Sequence, residues 1–158
     1  MSKPIIFGRT QNAEQTPFDN STNGFSATDV QAAIEEAQNS LILNNVTCDS
    51  TVYVNSAVRL DSSGTAFNAL ADVYANSNVV GIVISKASST LCTIQVTGVT
   101  PANFSGLDPA EEYFLSAATA GALTTTPPAA SGNIVLRVGQ PFSATRMLMN
   151  KGTRIERA

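Results

Sequence analysis

The sequence predicts a mainly β protein with three parts: an extended amino-terminal arm over 1–25, a short coiled-coil-like helix over 26–42, and an antiparallel β-sandwich or barrel over 43–158. Three observations carry this prediction. Residues up to about 25 show neither a period of 2 nor one of 3.6, a single helical period follows, and from Leu43 onward the apolar residues recur every second position between frequent turn signals.

In the first 25 residues Pro4, Gly8, Pro17 and Gly24 punctuate a text of Gln, Asn, Ser and Thr, which suits an arm rather than a packed element. Its isolated apolar residues are Ile5, Ile6 and Phe7, then Phe18 and Phe25. They can dock onto another surface or fold back onto the chain's own body, and the pattern alone does not choose between the two.

Thr28, with Gln31 three places on, forms a capping-box arrangement and marks the helix start. Val30, Ile34, Ala37 and Leu41 then recur at spacings of four, three and four, the seam of a coiled coil. So short a helix is marginal alone in water, since isolated helices need more than about 12–15 residues. It must lean on copies of itself or on its own β-domain.

Within the β part, Val46-Thr-Cys and Thr51-Val-Tyr-Val-Asn read as strand, with Val52 and Val54 on one face. Val58-Arg-Leu continues to the turn Asp61-Ser-Ser-Gly. Thr65 to Asn78 fits either a short helix or an irregular strand. The hairpin signal is strongest where Val79-Val-Gly-Ile-Val-Ile-Ser-Lys and Thr90-Leu-Cys-Thr-Ile-Gln-Val flank a polar loop, with Ile94 and Val96 on a face expected to be buried and Thr93, Gln95 and Thr97 on a face expected to be wet. Further strands are expected at Tyr113-Phe-Leu-Ser, at Gly121-Ala-Leu-Thr-Thr-Thr, over Asn133–Gly139 with Ile134, Leu136 and Val138 inward and Arg137 outward, and at Arg146-Met-Leu-Met. Arg146, Lys151, Arg154 and Arg157 make a mildly basic tail that reads as a solvated end.

Composition narrows the function classes. With no histidine, Ser-His, Cys-His and His-metal constellations are excluded. Glu35-Glu36 and Glu111-Glu112 are adjacent in sequence and point apart on any regular element, unlike a glycosidase pair across a cleft. Cys48 and Cys92 match no metal spacing and read as small buried hydrophobes. The expectation is therefore a non-enzymatic structural and binding protein without metal or cofactor. A net charge of −3 without a basic patch argues against nucleic acid, and no apolar run approaches the roughly 20 residues of a membrane span. Nothing at the amino terminus resembles a secretory signal, which predicts synthesis in a cytoplasm.

Two blocks of residues carry a family resemblance. Phe18-Asp-Asn-Ser-Thr-Asn-Gly-Phe-Ser-Ala-Thr-Asp-Val-Gln-Ala-Ala-Ile-Glu-Glu-Ala resembles a segment of bacteriophage fibre and other virion proteins that joins an attachment arm to a distal part. Val80-Gly-Ile-Val-Ile, Phe104-Ser-Gly-Leu-Asp-Pro-Ala-Glu-Glu-Tyr-Phe-Leu-Ser, Gly121-Ala-Leu-Thr-Thr-Thr-Pro-Pro and Val138-Gly-Gln-Pro-Phe-Ser-Ala-Thr resemble the small β-domain of phage head-fibre, capsid-decoration and tail-fibre proteins. The resemblance implies a virion location and a homotrimer joined at the helix through Val30, Ile34, Ala37 and Leu41. It also implies anchoring through Ile5, Ile6, Phe7 and Phe18 on a capsid, portal, neck or tail protein. The shortness of the chain favours a head fibre, decoration protein or short spike. A receptor- or carbohydrate-binding module of a tail fibre is the alternative, with Tyr53, Tyr74 and Tyr113 as stacking surfaces for a host-surface glycan.

Overall fold

The computed structural model describes Pro17, residues 28–39 and residues 41–158, with the backbone alone described over 35–39. The chain divides into two compact units, Met1–Ser40 and Leu41–Ala158.

In the first unit, helix α1 spans Val30–Asn39. Its cap is Asp29 rather than Thr28. The Ala32 N–H donates to Asp29 Oδ1 at 2.8 Å, and the Ala33 N–H donates to the Asp29 carbonyl at 3.0 Å. A side-chain acceptor three residues ahead of an orphan amide is the N-cap geometry, and Asp serves it better than Thr. Asp29 also forms an antiparallel bridge with Pro17. The helix ends at Asn39, so Leu41, expected as the fourth seam position, is not helical. It lies in a turn and its carbonyl accepts from the Val96 N–H at 2.9 Å.

The second unit is mainly β, with two five-stranded antiparallel sheets and a two-stranded ribbon. The first sheet contains β1 (Ile42–Thr47), β2 (Ala57–Leu60), β3 (Ala66–Asn68), β4 (Gly81–Ser88) and β5 (Leu91–Gln95), in the order β1-β5-β4-β2-β3. Its two edges meet. Cys48, immediately after β1, bridges Ala66 of β3 in parallel, and the Asp49 N–H donates to the Ala66 carbonyl at 2.9 Å. The sheet thereby curls into a small barrel whose two edges are joined at this point. A bulge in β1 between Leu43 and Val46, with Asn45 at φ 55°, supplies part of the bend.

Inside this barrel lie Cys48, Val52, Val58, Ala66, Val83, Cys92 and Ile94, flanked by Leu43, Val46 and Leu60. The outer face of the same strands carries a second core, in which Ala57, Ala69, Ala71, Val79 and Ile82 pack with Leu115, Leu136, Val138 and Met149. Neighbours in sequence thus enter different cores, Ala57 and Val58 on β2, Ile82 and Val83 on β4. A strand buried on both faces needs no alternation, which is why Val79 to Ile84 reads as a continuous apolar run interrupted only by Gly81.

The second sheet contains β6 (Gly98–Val99), β7 (Tyr113–Leu115), β8 (Leu123–Thr124), β10 (Arg137–Ser143) and β11 (Arg146–Met149), in the order β6-β11-β10-β7-β8. The ribbon pairs β9 (Ile134–Val135) with β12 (Ile155–Glu156). Ile134, Leu136 and Val138 face inward as expected, and Met147 and Met149 are buried on β11. Pro141 lies on β10 beyond its pairing with β7, which covers only Arg137 to Gly139, so its missing N–H breaks no bond to that neighbour. Gly121, at φ +76°, joins the sheets: its N–H donates to the Ala69 carbonyl and its carbonyl accepts from the Ala57 N–H, at 2.7 and 2.8 Å. A Cβ there would stand 2.6 Å from Asn68 Oδ1 and 2.8 Å from Ser56 Cβ, so only glycine fits.

Several expectations are corrected. Thr51 to Asn55 is a turn, not a strand. Asp49 Oδ1 accepts from the Thr51 amide and hydroxyl at 2.9 and 2.6 Å, and Asn55 takes φ 73°. An Asx turn of this kind competes successfully with strand pairing. Val52 is consequently buried inside the barrel while Val54 is exposed, so they do not share a face. Of the two readings left open for Thr65 to Asn78, the strand holds over Ala66–Asn68, and the chain then turns through 71–77 without a helix. On β5, Gln95 is buried rather than wet, its amide donating to the Thr97 and Val99 carbonyls at 3.0 and 2.7 Å where the chain crosses to the second sheet. The basic tail is docked, since β12 pairs with β9 and Lys151, Arg154 and Arg157 all bond to backbone carbonyls elsewhere in the unit.

Candidate binding clefts

Two clefts open on the β unit, and the three tyrosines divide between them. The first, of about 300 Å³, is lined by Tyr53, Asn55, Phe104, Leu107, Tyr113 and Leu123, among others. The turn begun by Asp49 delivers Tyr53, and the loop ahead of β7 delivers Phe104 and Leu107. Tyr113 sits at the start of β7 with its hydroxyl accepting from the Asp108 N–H at 3.2 Å. Asn55 is fixed by a 2.8 Å bond from its Nδ2 to the Asn103 carbonyl, and Asn103 in turn donates to the Ile84 carbonyl at 2.7 Å. Partial burial raises the Tyr53 phenol above its ordinary pKa, so it stays a neutral donor. Aromatic faces with a few fixed polar groups suit an uncharged ring-shaped ligand.

The second cleft, of about 330 Å³, is lined by Tyr74, Asn78, Val79, Leu136 and the segment Lys151 to Arg154. Arg154 lies with its guanidinium carbon 3.8 Å from the centroid of the Tyr74 ring, and its Nη1 donates to the Tyr74 carbonyl at 3.1 Å. Lys151 Nζ donates to the Val79 and Val80 carbonyls, both at 3.0 Å. Burial of this ammonium lowers its pKa.

Tyr53 and Tyr113, distant in sequence, therefore share one cleft, and Tyr74 belongs to the other. Sequence reasoning missed Phe104 and Asn55 in the first cleft. In the second it read Lys151 and Arg154 only as part of a solvated tail, and no local pattern marks their docking beside Tyr74. Of the seam residues, Ile34 is exposed and Val30 half-buried, the Ala37 side chain lies outside the described residues, and Leu41 is exposed in its turn. Ala33, not a seam position, is the buried residue among the helix side chains that are described, Val30 to Ile34. Ile5, Ile6, Phe7 and Phe18 lie outside the described residues.

Cys48 and Cys92 are free thiols buried inside the barrel. Among the described residues no three of Cys, Asp and Glu converge on a point that could hold a metal ion, and no helix is long and apolar enough to cross a membrane. Compared with known proteins, the chain matches no family model, no curated protein and no solved structure.

Proposed function

We propose that this chain is a non-enzymatic bacteriophage virion protein: a head fibre, capsid-decoration protein or short spike, attached through residues 1–25, trimerised at the helix and presenting the β unit outward. The observation that carries the reading is Ile34. This large apolar side chain on a short capped helix remains 46% exposed in the single chain, which leaves it available to pack against copies of itself. The separation of the chain at Ser40 and Leu41 into a helix-bearing unit and a β unit with its own two cores supports an anchor-and-head arrangement.

Light scattering of the intact chain at micromolar concentration tests the trimer. A trimer that Ile34→Asp converts to monomer, with the β signal of the circular dichroism spectrum retained, is the expected outcome. A monomeric intact chain overturns the reading.

A second reading, a carbohydrate-binding module of a tail fibre, draws on the meeting of Tyr53 and Tyr113 in one cleft with Asn55 held beside them. Binding of the labelled protein to host cells that is lost with Tyr53→Ala would support it, and absence of any cell or glycan binding would eliminate it.

A further inference from the structure

The cleft beside Tyr74 differs in kind from the cleft of Tyr53 and Tyr113, because it concentrates positive charge in a chain whose net charge is −3. Lys151 and Arg154 both line it, and neither has a carboxylate partner among the described residues, where the ion pair is Glu112 with Arg137 at 2.8 Å. Both cations are held in place before any ligand arrives. Arg154 is fixed by its stacking on Tyr74 and by one bond to the Tyr74 carbonyl, which leaves its Nε and Nη2 donors unspent among the described residues. Lys151 spends two of its three protons on Val79 and Val80. A positioned guanidinium and a positioned ammonium lose little entropy when they meet an anion, and a planar fork matches a carboxylate in particular.

The remaining lining indicates what carries that carboxylate. Arg154 covers one face of the Tyr74 ring, yet Tyr74 is still 55% exposed, so apolar ring surface remains available. Asn78 and Thr153 line the same cleft, and among the described residues neither side chain has a hydrogen-bond partner, so an amide and a hydroxyl are available for neutral polar groups. The volume, about 330 Å³, lies within the ordinary size range of ligand clefts. Two cations, an aromatic surface and two neutral polar groups together match a ligand that has a carboxylate, a weakly apolar ring face and hydroxyls.

We propose that this cleft binds a uronate-type acidic sugar, with Arg154 and Lys151 on its carboxylate, Tyr74 against its ring and Asn78 and Thr153 on its hydroxyls. Resting on the glycan-binding reading of the β unit, it names the substrate class and places it in a different cleft from that of Tyr53 and Tyr113.

The test follows backbone amide shifts of the isotope-labelled intact chain during titration with sodium glucuronate, glucose, acetate and inorganic phosphate at constant ionic strength. Saturable shifts centred on Asn78, Gly152 and Thr153 are expected for glucuronate with a Kd of about 1–10 mM, at least tenfold tighter than for the other three. Arg154→Gln should weaken glucuronate at least tenfold. Because Arg154 also holds the tail, Thr153→Val serves as a second variant that keeps both cations and should weaken glucuronate severalfold. Absence of saturable shifts up to about 50 mM glucuronate overturns the proposal. Equal binding of acetate or phosphate also overturns it, leaving an anion site without sugar recognition, and unchanged affinity in both variants overturns the location. Cell or glycan binding that survives Arg154→Gln and disappears with Tyr53→Ala leaves the broader glycan reading standing while this cleft is excluded.

Discussion

Cys48 bridges Ala66 in parallel, and this single contact between the end of β1 and the start of β3 turns an open five-stranded sheet into a barrel with Cys92 inside it. Every other pairing in the sheet is antiparallel and joins strands already adjacent in the ladder. The closure gives the interior its dryness, and the dryness sets the chemistry of the thiols.

Burial, reinforced by a hydrogen bond with Cys48, pushes the Cys92 thiol up from 9.0 to about 12. An unfolded chain loses this proton near 9 while the folded chain keeps it, so the folded state binds more protons across that window. The contribution to stability is fully present below about 9 and is lost as pH rises toward 12, at up to about 1.4 kcal/mol per pH unit. Urea unfolding at about pH 8 and about pH 10.5 should show the decline in the native sequence and a shallower one in Cys92→Ala. Equal declines in both proteins would refute the assignment.

Gly81 is predicted to be irreplaceable for a reason of space. A Cβ there would overlap the Gln95 carbonyl oxygen and stand 2.6 Å from Ile94 Cγ2, both on β5 beside the start of β4. Gly81→Ala should cost about 3 kcal/mol, because backbone and a buried core residue must both shift. Gly64, in the Asp61 turn at φ +81° with open space around it, meets only backbone strain, and Gly64→Ala should cost about 1 kcal/mol. Chemical denaturation of the two variants checks the order, and a larger loss at Gly64 would contradict the packing account.

Asp29 rather than Thr28 should govern the helix start. Asp29→Ala removes the acceptor of the Ala32 amide and is expected to cost the helix about 1 kcal/mol, read as roughly fivefold faster hydrogen exchange at Ala32. Thr28→Ala should leave exchange at Ala32 nearly unchanged. The reverse ranking would return the cap to Thr28.

Local chemistry made much of the fold legible. The Asp61-Ser-Ser-Gly turn forms because Asp61 Oδ1 accepts from the Ser63 and Thr65 amides, an interaction contained within five residues. The hairpin of β4 and β5 likewise follows from two apolar runs about a polar loop, and the inward Ile134, Leu136 and Val138 and the paired burial of Met147 and Met149 follow from alternation, patterns that any short window displays. Thr51 to Asn55 misled because its period of 2 is real, but the Asp49 carboxylate captures the backbone first.

Of the binding clefts, the sequence supplied the tyrosines but not their grouping, since Tyr53 and Tyr113 stand sixty positions apart and come to line one cleft only once the chain between them folds. By itself the sequence determined the mainly β character of the chain, the turn at Asp61-Ser-Ser-Gly and the absence of any histidine chemistry, all of which depend on residue type and near neighbours. Tertiary structure alone decided the closure at Cys48 and Ala66, the double-sided burial of β2 and β4, and the docking of Lys151 and Arg154 beside Tyr74. Each of these joins residues far apart in the chain, and the partner that satisfies such a residue is not written beside it.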